Sequence, residues 1–329
     1  MLLAVQAEGR RALRGLTRAR GPLDPAVARQ CRDYAGDVLG SPRHAVWLKV
    51  YAAVQGRFRE GWIPDNYFAE FVRPRINGTY HHMTRYRGAN GLFFPDDTLP
   101  DVARLANGLI LTARGKPTTA AEIRARARSK AYGLVFKSDA SAYGHGLQFV
   151  ELDDLTDDLL IRMGNGVLQR QLVPHPVFAP FGTRALATLR ILTVVDDQAQ
   201  PSARAGYLKL GRARDSHVKA FDNLRIPVDP QTGIVAELGY DSAWQPMSAH
   251  PDTGTRFDAT ALPRATDFAA HAVELHRLLP LARCICWDFA INQREEIYLL
   301  EWEGGVVNFG EATQGPCFLG LGWDRFHLA

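Results

Sequence analysis

The sequence has 329 residues, of which 46% are hydrophobic, and a formal net charge of +4. This length is sufficient for a large core or for two to three subdomains, and the composition is that of an ordinary globular protein, which excludes extensive disorder. The charge is too small and too evenly spread to indicate a nucleic-acid partner.

Four cysteines, Cys31, Cys284, Cys286 and Cys317, form neither a disulfide-dense pattern nor paired zinc knuckles. The apolar run that follows Met1 is too short for a signal peptide, and no segment approaches the length of a transmembrane helix. We therefore expect a cytoplasmic protein without a membrane span.

Residues 2 to about 58 have apolar positions at helical spacing, with breaks near Gly21-Pro22 and Gly40-Ser41-Pro42. The arginines of the first helix could contact an acidic surface, but a solvated face is the commoner explanation. From residue 61 to 115 the pattern is irregular. Arg85 and Arg87 stand here at strand spacing and could meet a phosphate, although ordinary surface charge is the commoner explanation.

A helix is predicted over residues 118–128, with Thr119 as its cap and Glu122 three residues later. The strand that follows ends in Lys137, and a loop of small residues reaches Gly146 before the next strand, 147–150. Glycines let backbone N–H groups approach a phosphate and the lysine supplies a point charge, so this hairpin could bind phosphate. Taken alone, it could equally be a hairpin with a flexible tip.

Four further elements are predicted before the last hairpin: a helix over 153–163, strands over 166–173 and 187–195, and a strand over 203–210. Arg190 lies within the apolar strand 187–195 and therefore needs an anion, either a carboxylate or a ligand phosphate. The strand 203–210 carries Lys209. A helix over 263–279 then leads to the hairpin.

The hairpin consists of a strand from Cys284 to Asn292 and a strand from Ile297 to Glu303. With Arg294 and Glu295 at the centre of the turn, Asp288 pairs with Glu301, and Glu303 shares the face of Glu301. Directly opposed carboxylates repel, so we expect a cation or a shared proton between them, and hard oxygen ligands suit Mg²⁺. The alternative is a solvated acidic face. The opposite face is expected to be bulky and buried, with these members: Trp287, Phe289, Tyr298, Leu300 and Trp302.

Taken together, Lys137 with its loop, the strand from Val167 to Leu172, Arg190, Lys209, Asp288 and Glu301-Trp302-Glu303 resemble the ATP-grasp superfamily. The closer likeness is to its sugar-transfer-associated subgroup, which these segments resemble: Thr188-Leu-Arg190, Asp222-Asn223, His250-Pro-Asp-Thr-Gly254 and Trp287-Asp-Phe-Ala-Ile291. The likeness covers most of residues 60–310.

The resemblance implies an α+β ATP-grasp fold in which a nucleotide lies between two antiparallel sheets, preceded by a helical extension. The implied regions are 1–58 (helical extension), 59–116 (N-terminal region), 117–174 (small subdomain with the glycine-rich loop) and 175–329 (C-terminal subdomain with the metal site). It also implies roles for individual residues. Arg190 and Lys209 would be catalytic, and the metal ligands would be Asp288, Glu301 and Glu303. The implied ATP contacts are Lys137, Ser141, Gly144, His145, Gly146, Gln169, Arg170, Gln171, Leu172, His175 and Asn223.

Three positions depart from the family pattern. Glu303 stands where many relatives have asparagine, and His145 stands where relatives often have a lysine between glycines. The first nucleotide-binding lysine has no clear counterpart, and Arg85 or Arg87 is the candidate replacement.

The function implied by the resemblance is that of an ATP- and Mg²⁺-dependent ligase, which activates a small-molecule carboxylate as an acyl-phosphate and joins it to an amine. A small-molecule kinase and a non-catalytic nucleotide-binding module are the alternatives. Residues 62–90 and 240–257 are the expected acceptor-binding segments.

Overall fold

A computed structural model describes residues 2–139, 146–183, 185–212 and 223–328, and the structural statements below concern these residues. Ser141, Gly144 and His145, three of the predicted nucleotide contacts, lie outside them, as does Asp222. No helix in the described ranges is long and apolar enough to cross a membrane.

The first 55 residues form three helices, as the spacing of apolar residues predicted. The breaks fall at the predicted glycine and proline positions, and Asp24 caps the second helix by accepting from the Ala26 N–H at 2.7 Å. Three short helices follow before the first sheet. The bounds of the six are α1 Leu2–Arg20, α2 Pro25–Asp37, α3 Ala45–Gln55, α4 Asp65–Tyr67, α5 Arg73–Ile76 and α6 Asn90–Phe93.

The first sheet has five antiparallel strands in the order β2-β1-β5-β3-β4. Its strands are β1 Asp101–Ala106, β2 Leu109–Thr112, β3 Leu134–Ser138, β4 Leu147–Val150 and β5 Gly166–Arg170. One face packs against two helices, α7 Ala120–Ser129 and α8 Asp157–Met163. The predicted cap of α7 is confirmed, because Thr119 and Glu122 form a reciprocal capping box.

The β1–β2 hairpin was not predicted from the sequence. Its turn is Asn107-Gly108, and both residues have positive φ, 50° and 81°. Asn-Gly between apolar runs is a strong hairpin signal, so the pattern was present but was missed inside a stretch that otherwise looked irregular. β1 and β2 precede residue 117, so the predicted boundary between the second and third regions runs through this sheet.

The second sheet has seven antiparallel strands in the order β10-β9-β8-β7-β6-β11-β12. Its strands are β6 Thr188–Val195, β7 Pro201–Leu210, β8 Leu224–Pro227, β9 Gly239–Tyr240, β10 Pro246–Met247, β11 Cys284–Ile291 and β12 Ile297–Glu303. Two helices complete the elements, α9 Ala265–Leu278 and α10 Asn308–Thr313.

Both faces of the second sheet are covered. Leu192, Tyr207 and Cys286 pack into a core with the N-terminal helices and α10 on one face. Ile191, Trp287 and α9 form the core on the other face. The predicted α+β class with two antiparallel sheets is therefore confirmed. The helical extension covers the face of the sheet that carries Arg190 and Asp288, and so forms one wall near these residues.

Candidate active site

The predicted pairing of Asp288 with Glu301 in the β11–β12 hairpin is confirmed, but a β-bulge brings it about. Near the turn, Ile291 pairs with Ile297, a register that would place Leu300 opposite Asp288. The register shifts between Asp288 and Phe289, and this shift adds one residue to β12 and brings Glu301 opposite Asp288. The turn is therefore not centred where the prediction assumed, and the extra residue of the bulge restores the predicted pairing of Asp288 with Glu301.

Because of this bulge, the residues on the buried face differ from those predicted. Trp287 and Phe289 pack against α9 as expected, but their cross-strand partners are Trp302 and Leu299. Tyr298 and Leu300, which were predicted to lie on this face, do not belong to its core. The Arg170 guanidinium lies over the Tyr298 ring at 4.5 Å instead.

Asp288 is bound by two cations from neighbouring strands. Its Oδ1 accepts from Arg190 Nε at 2.6 Å, and its Oδ2 accepts from Arg190 Nη2 and Lys209 Nζ, each at 2.6 Å. The Asp288 side chain is 2% exposed. Burial opposes its ionisation, but Arg190 and Lys209 hold the pKa of Asp288 well below its usual range. The anion that Arg190 requires is thus a carboxylate of the protein.

Glu301 and Glu303 are more accessible, with side chains 36% and 41% exposed. Glu303 Oε2 lies 2.9 Å from Arg190 Nη1, and Glu301 Oε2 lies 3.5 Å from Arg87 Nη2. Burial raises the pKa of Glu301, and the neighbouring charges of Asp288 and Glu303 raise it further.

The chemistry of this donor set fits a hard cation, because two accessible carboxylates lie two residues apart on one strand face. The three acids are not arranged around a common point, however. Among the described residues no group of three or more histidine, cysteine, aspartate or glutamate side chains is spaced to hold a metal ion. Both Asp288 oxygens are engaged by Arg190 and Lys209. Glu301 and Glu303 are therefore the readier ligands, and the predicted metal role of Asp288 would require it to share its oxygens with these cations.

Lys137 lies at the end of β3 and joins the two sheets. Its Nζ donates to the backbone oxygen of Leu300, the residue that the bulge inserts, at 3.3 Å. Burial lowers the pKa of Lys137, and Glu301 opposes this effect. At the far end of the predicted phosphate loop, the Gly146 oxygen accepts from the Ser138 N–H at 3.0 Å. The sheets therefore meet where the sequence predicted phosphate binding.

Arg104 is a residue of this region that sequence reasoning missed. It lies on β1 opposite Val167, which in turn lies opposite Lys137, so Arg104 and Lys137 share one face of the first sheet. Arg104 is 7% exposed, and its Nε has no hydrogen-bond partner within the described ranges. A Cβ atom on Gly91 would lie 1.9 Å from Arg104 Nη2, so the guanidinium packs on a glycine. The missed Asn107-Gly108 hairpin signal would have placed it on a strand.

Of the two arginines proposed to replace a lysine, the structure brings only Arg87 to the site. Its Nη1 donates to the Ser138 oxygen at 2.8 Å, and the Gly88 N–H donates to Asp139 Oδ1 at 3.2 Å. Arg85 is exposed. The segment around Arg87 therefore ties the start of the predicted phosphate loop to Glu301.

The predicted adenine-binding residues are divided between two environments. Gln169 is buried and donates to Asp101 Oδ1 at 2.8 Å, whereas Asp101 Oδ2 has no partner in the described part of the chain. Burial raises the pKa of Asp101 to about 6. The other members line a cavity of about 720 Å³, together with residues of the β11–β12 turn. They are Arg170, Gln171 and Leu172.

The remaining predicted contacts lie at segment ends. His175 Nδ1 accepts from the Val177 N–H at 3.2 Å and so caps a helical turn, while Asn223 is buried directly before β8. The motif His250–Gly254 clamps the chain after β7: His250 Nε2 lies 3.1 Å from the Gly211 oxygen, and Asp252 binds Arg212 through both carboxylate oxygens. The motif thereby helps to position the strand that carries Lys209.

Comparison with known proteins finds a family model that part of this chain matches. Residues 161–307 match the model described as sugar-transfer associated ATP-grasp. No curated protein matches the chain. Two solved structures to which it is similar are N5-carboxyaminoimidazole synthetase from Staphylococcus aureus and the ATP-grasp ligase PsnB complexed with a phosphomimetic variant of its minimal precursor, Mg and ADP.

These structural likenesses are remote. For the S. aureus enzyme the identity is 10%, the TM-score is 0.39, and the match covers 68% of this chain and 45% of that one. For PsnB the values are 11%, 0.40, 82% and 60%. The chain spans about half the length of the solved structures that it matches. The sequence match to the sugar-transfer associated ATP-grasp model covers residues 161–307, a little under half of this chain.

Proposed function

We propose that the protein is an ATP- and Mg²⁺-dependent ligase that activates a carboxylate as an acyl-phosphate, releases ADP and phosphate, and joins the acid to an amine. The observation that carries this proposal is that a lysine of the first sheet lies close to the charged residues of the second sheet. Lys137 of the first sheet binds the backbone of β12 at 3.3 Å, beside Glu301 and Glu303, while Arg190 and Lys209 lie on β6 and β7 of the same second sheet.

The nucleotide would lie between the sheets. Lys137 and Arg104 would bind its phosphates, since both are cations on the same face of the first sheet and the Nε of the buried Arg104 has no partner in the described ranges. The loop that ends at Gly146 would close over the phosphates. The base would contact the segment from Gln169 to Leu172, with His175 and Asn223 at its margins.

Glu301 and Glu303 would hold Mg²⁺, with Asp288 as the third predicted ligand. The bound ion would neutralise charge on the phosphate oxygens as the phosphoryl group is transferred. Arg190 and Lys209 would stabilise the same charge from the other side. Asp288 fixes both cations in place, so neither must be reoriented during the reaction.

In the first step, a carboxylate oxygen of the acceptor would attack the γ-phosphorus, and the bond to the β–γ bridging oxygen would break to release ADP. In the second step, the amine would attack the acyl carbon and lose a proton, and phosphate would leave with the electron pair of the broken C–O bond. Positioning and electrostatics suffice for both steps, so no nucleophilic side chain is required.

The test is to incubate the protein with ATP, Mg²⁺ and panels of acids and amines, and to measure ADP and phosphate. A Lys137→Met variant should lose this turnover, whereas an exposed matched variant, Lys116→Met, should keep it. AMP and pyrophosphate as the sole products would contradict the mechanism. An acceptor that gains and keeps phosphate would identify a kinase instead.

A further inference from the structure

Arg225 continues the row of charges on the active face of the second sheet. Across the sheet, Glu301 lies opposite Asp288, Asp288 opposite Arg190, and Lys209 opposite Arg225 on β8. Residues that are paired across antiparallel strands point to the same face. Arg225 therefore lies beside Lys209, on the side away from the proposed metal ligands.

The guanidinium of Arg225 is held between two aromatic rings. It lies 4.8 Å from the centre of the Trp244 ring and 4.7 Å from that of Phe309. Its Nη2 donates to the backbone oxygen of Asp241 at 3.0 Å. Its Nε is buried and has no hydrogen-bond partner in the described part of the chain. The rings fix the orientation of the group and leave part of its donor capacity unused.

Arg225 also lacks an ionic partner, unlike the two cations beside it. Arg190 and Lys209 both bind Asp288 at 2.6 Å, whereas no carboxylate of the described residues lies within 4.0 Å of Arg225. The nearby Asp241 carboxylate accepts instead from the Ala243 and Gln245 N–H groups, at 2.9 and 2.8 Å. Burial lowers the pKa of Arg225. The carboxylates of Glu8 and Asp241 act on Arg225 from beyond 4.0 Å, so an anionic ligand in direct contact would offset the cost of burying this cation.

We propose that Arg225, together with Lys209, binds the carboxylate of the acceptor acid. This assignment rests on the proposed ligase function, because the acid must lie beyond the γ-phosphate, on the side of Lys209 that faces away from Glu301. The acceptor is thus predicted to be a carboxylic acid whose charged end lies beside Trp244.

A binding measurement that needs no ATP turnover tests this assignment separately from the ligase function. The six tryptophans are labelled as 5-fluorotryptophan, and the ¹⁹F signal of Trp244 is identified by its loss in Trp244→Phe. Acetate, glutarate and inorganic phosphate are titrated at constant ionic strength. In the wild-type protein a carboxylate should shift the Trp244 signal, whereas in Arg225→Gln the shift should disappear and the other five signals should persist.

Two further variants make the result decisive. Arg225→Lys retains a charge between the rings and should keep a reduced shift, while Arg277→Gln, on an exposed arginine of α9, should behave as wild type. With a working acid–amine pair, Arg225→Gln should raise the KM of the acid about tenfold or more and change the KM of ATP less than about twofold. An unchanged Trp244 shift in Arg225→Gln, no shift with either carboxylate, or a shift with phosphate alone would overturn the proposal.

Discussion

The Arg190 guanidinium binds both oxygens of Asp288, at 2.6 Å each, although the two residues are 98 positions apart in the chain. The Asp288 side chain is almost fully buried and Lys209 completes its coordination. The core of the site is therefore a preassembled charge cluster, in which one carboxylate orients two cations.

Replacing Asp288 with asparagine should be strongly destabilising, because it leaves Arg190 and Lys209 buried without their counter-ion. We expect the free energy of unfolding to fall by about 3–5 kcal/mol. Glu303→Gln is the matched control, since its partly exposed contact with Arg190 should contribute about 1 kcal/mol or less. Urea denaturation followed by tryptophan fluorescence measures both. Equal stability of the two variants would contradict the orienting role of Asp288.

Glu301 and Glu303 should differ in their tolerance of substitution. Glu301→Gln should raise the Mg²⁺ concentration for half-maximal ADP release by at least about tenfold. Replacing a residue that only orients a metal ligand already weakens metal binding by about tenfold or more, and Glu301 would bind the ion directly. Glu303→Asn keeps an oxygen atom that can bind a metal ion at this position and should retain turnover. The Mg²⁺ dependence of ADP release distinguishes the two variants. Full activity of Glu301→Gln at low Mg²⁺ would show that Glu301 is not a metal ligand.

Arg104 gives a prediction in which stability and binding change in opposite directions. Arg104→Leu removes a buried cation whose Nε lacks a partner in the described ranges, so the ligand-free protein should become more stable, by on the order of 1 kcal/mol. ATP binding should weaken by about tenfold or more, because a charged phosphate contact is lost. Calorimetry with ATP and thermal unfolding without it measure the two effects. Loss of stability together with unchanged ATP affinity would show that the role of Arg104 is structural.

Asp101 predicts a specific dependence of stability on pH. Burial raises its pKa to about 6, above the unfolded value of about 3.8, so the folded state binds the proton more tightly. The contribution to stability is complete below the unfolded pKa and is lost as pH rises through about 6. Between pH 4 and 7 the wild type should therefore lose about 2 kcal/mol of unfolding free energy relative to Asp101→Asn. Parallel pH profiles for the two proteins would contradict this.

Local pattern was sufficient for much of the fold. Thr119 and Glu122 predicted the start of α7, and alternating apolar residues predicted β11 with Asp288 on the face opposite Trp287. These signals depend on residues close in sequence, so they can be recognised without knowledge of the tertiary structure. The placement of Lys137 at the end of a strand was predictable for the same reason.

The sequence by itself determined that Lys137, Arg190 and Lys209 lie on strands and that Asp288 and Trp287 lie on opposite faces of β11. It did not indicate the roles of Arg104 and Arg225. The tertiary structure decided what those charges bind. The order β8-β7-β6-β11-β12 puts Arg225, Lys209, Arg190 and Asp288 side by side, and a one-residue bulge at Leu300 sets the register of Glu301. Strand order and bulges depend on contacts between distant segments, whose energies are not encoded in any local periodicity.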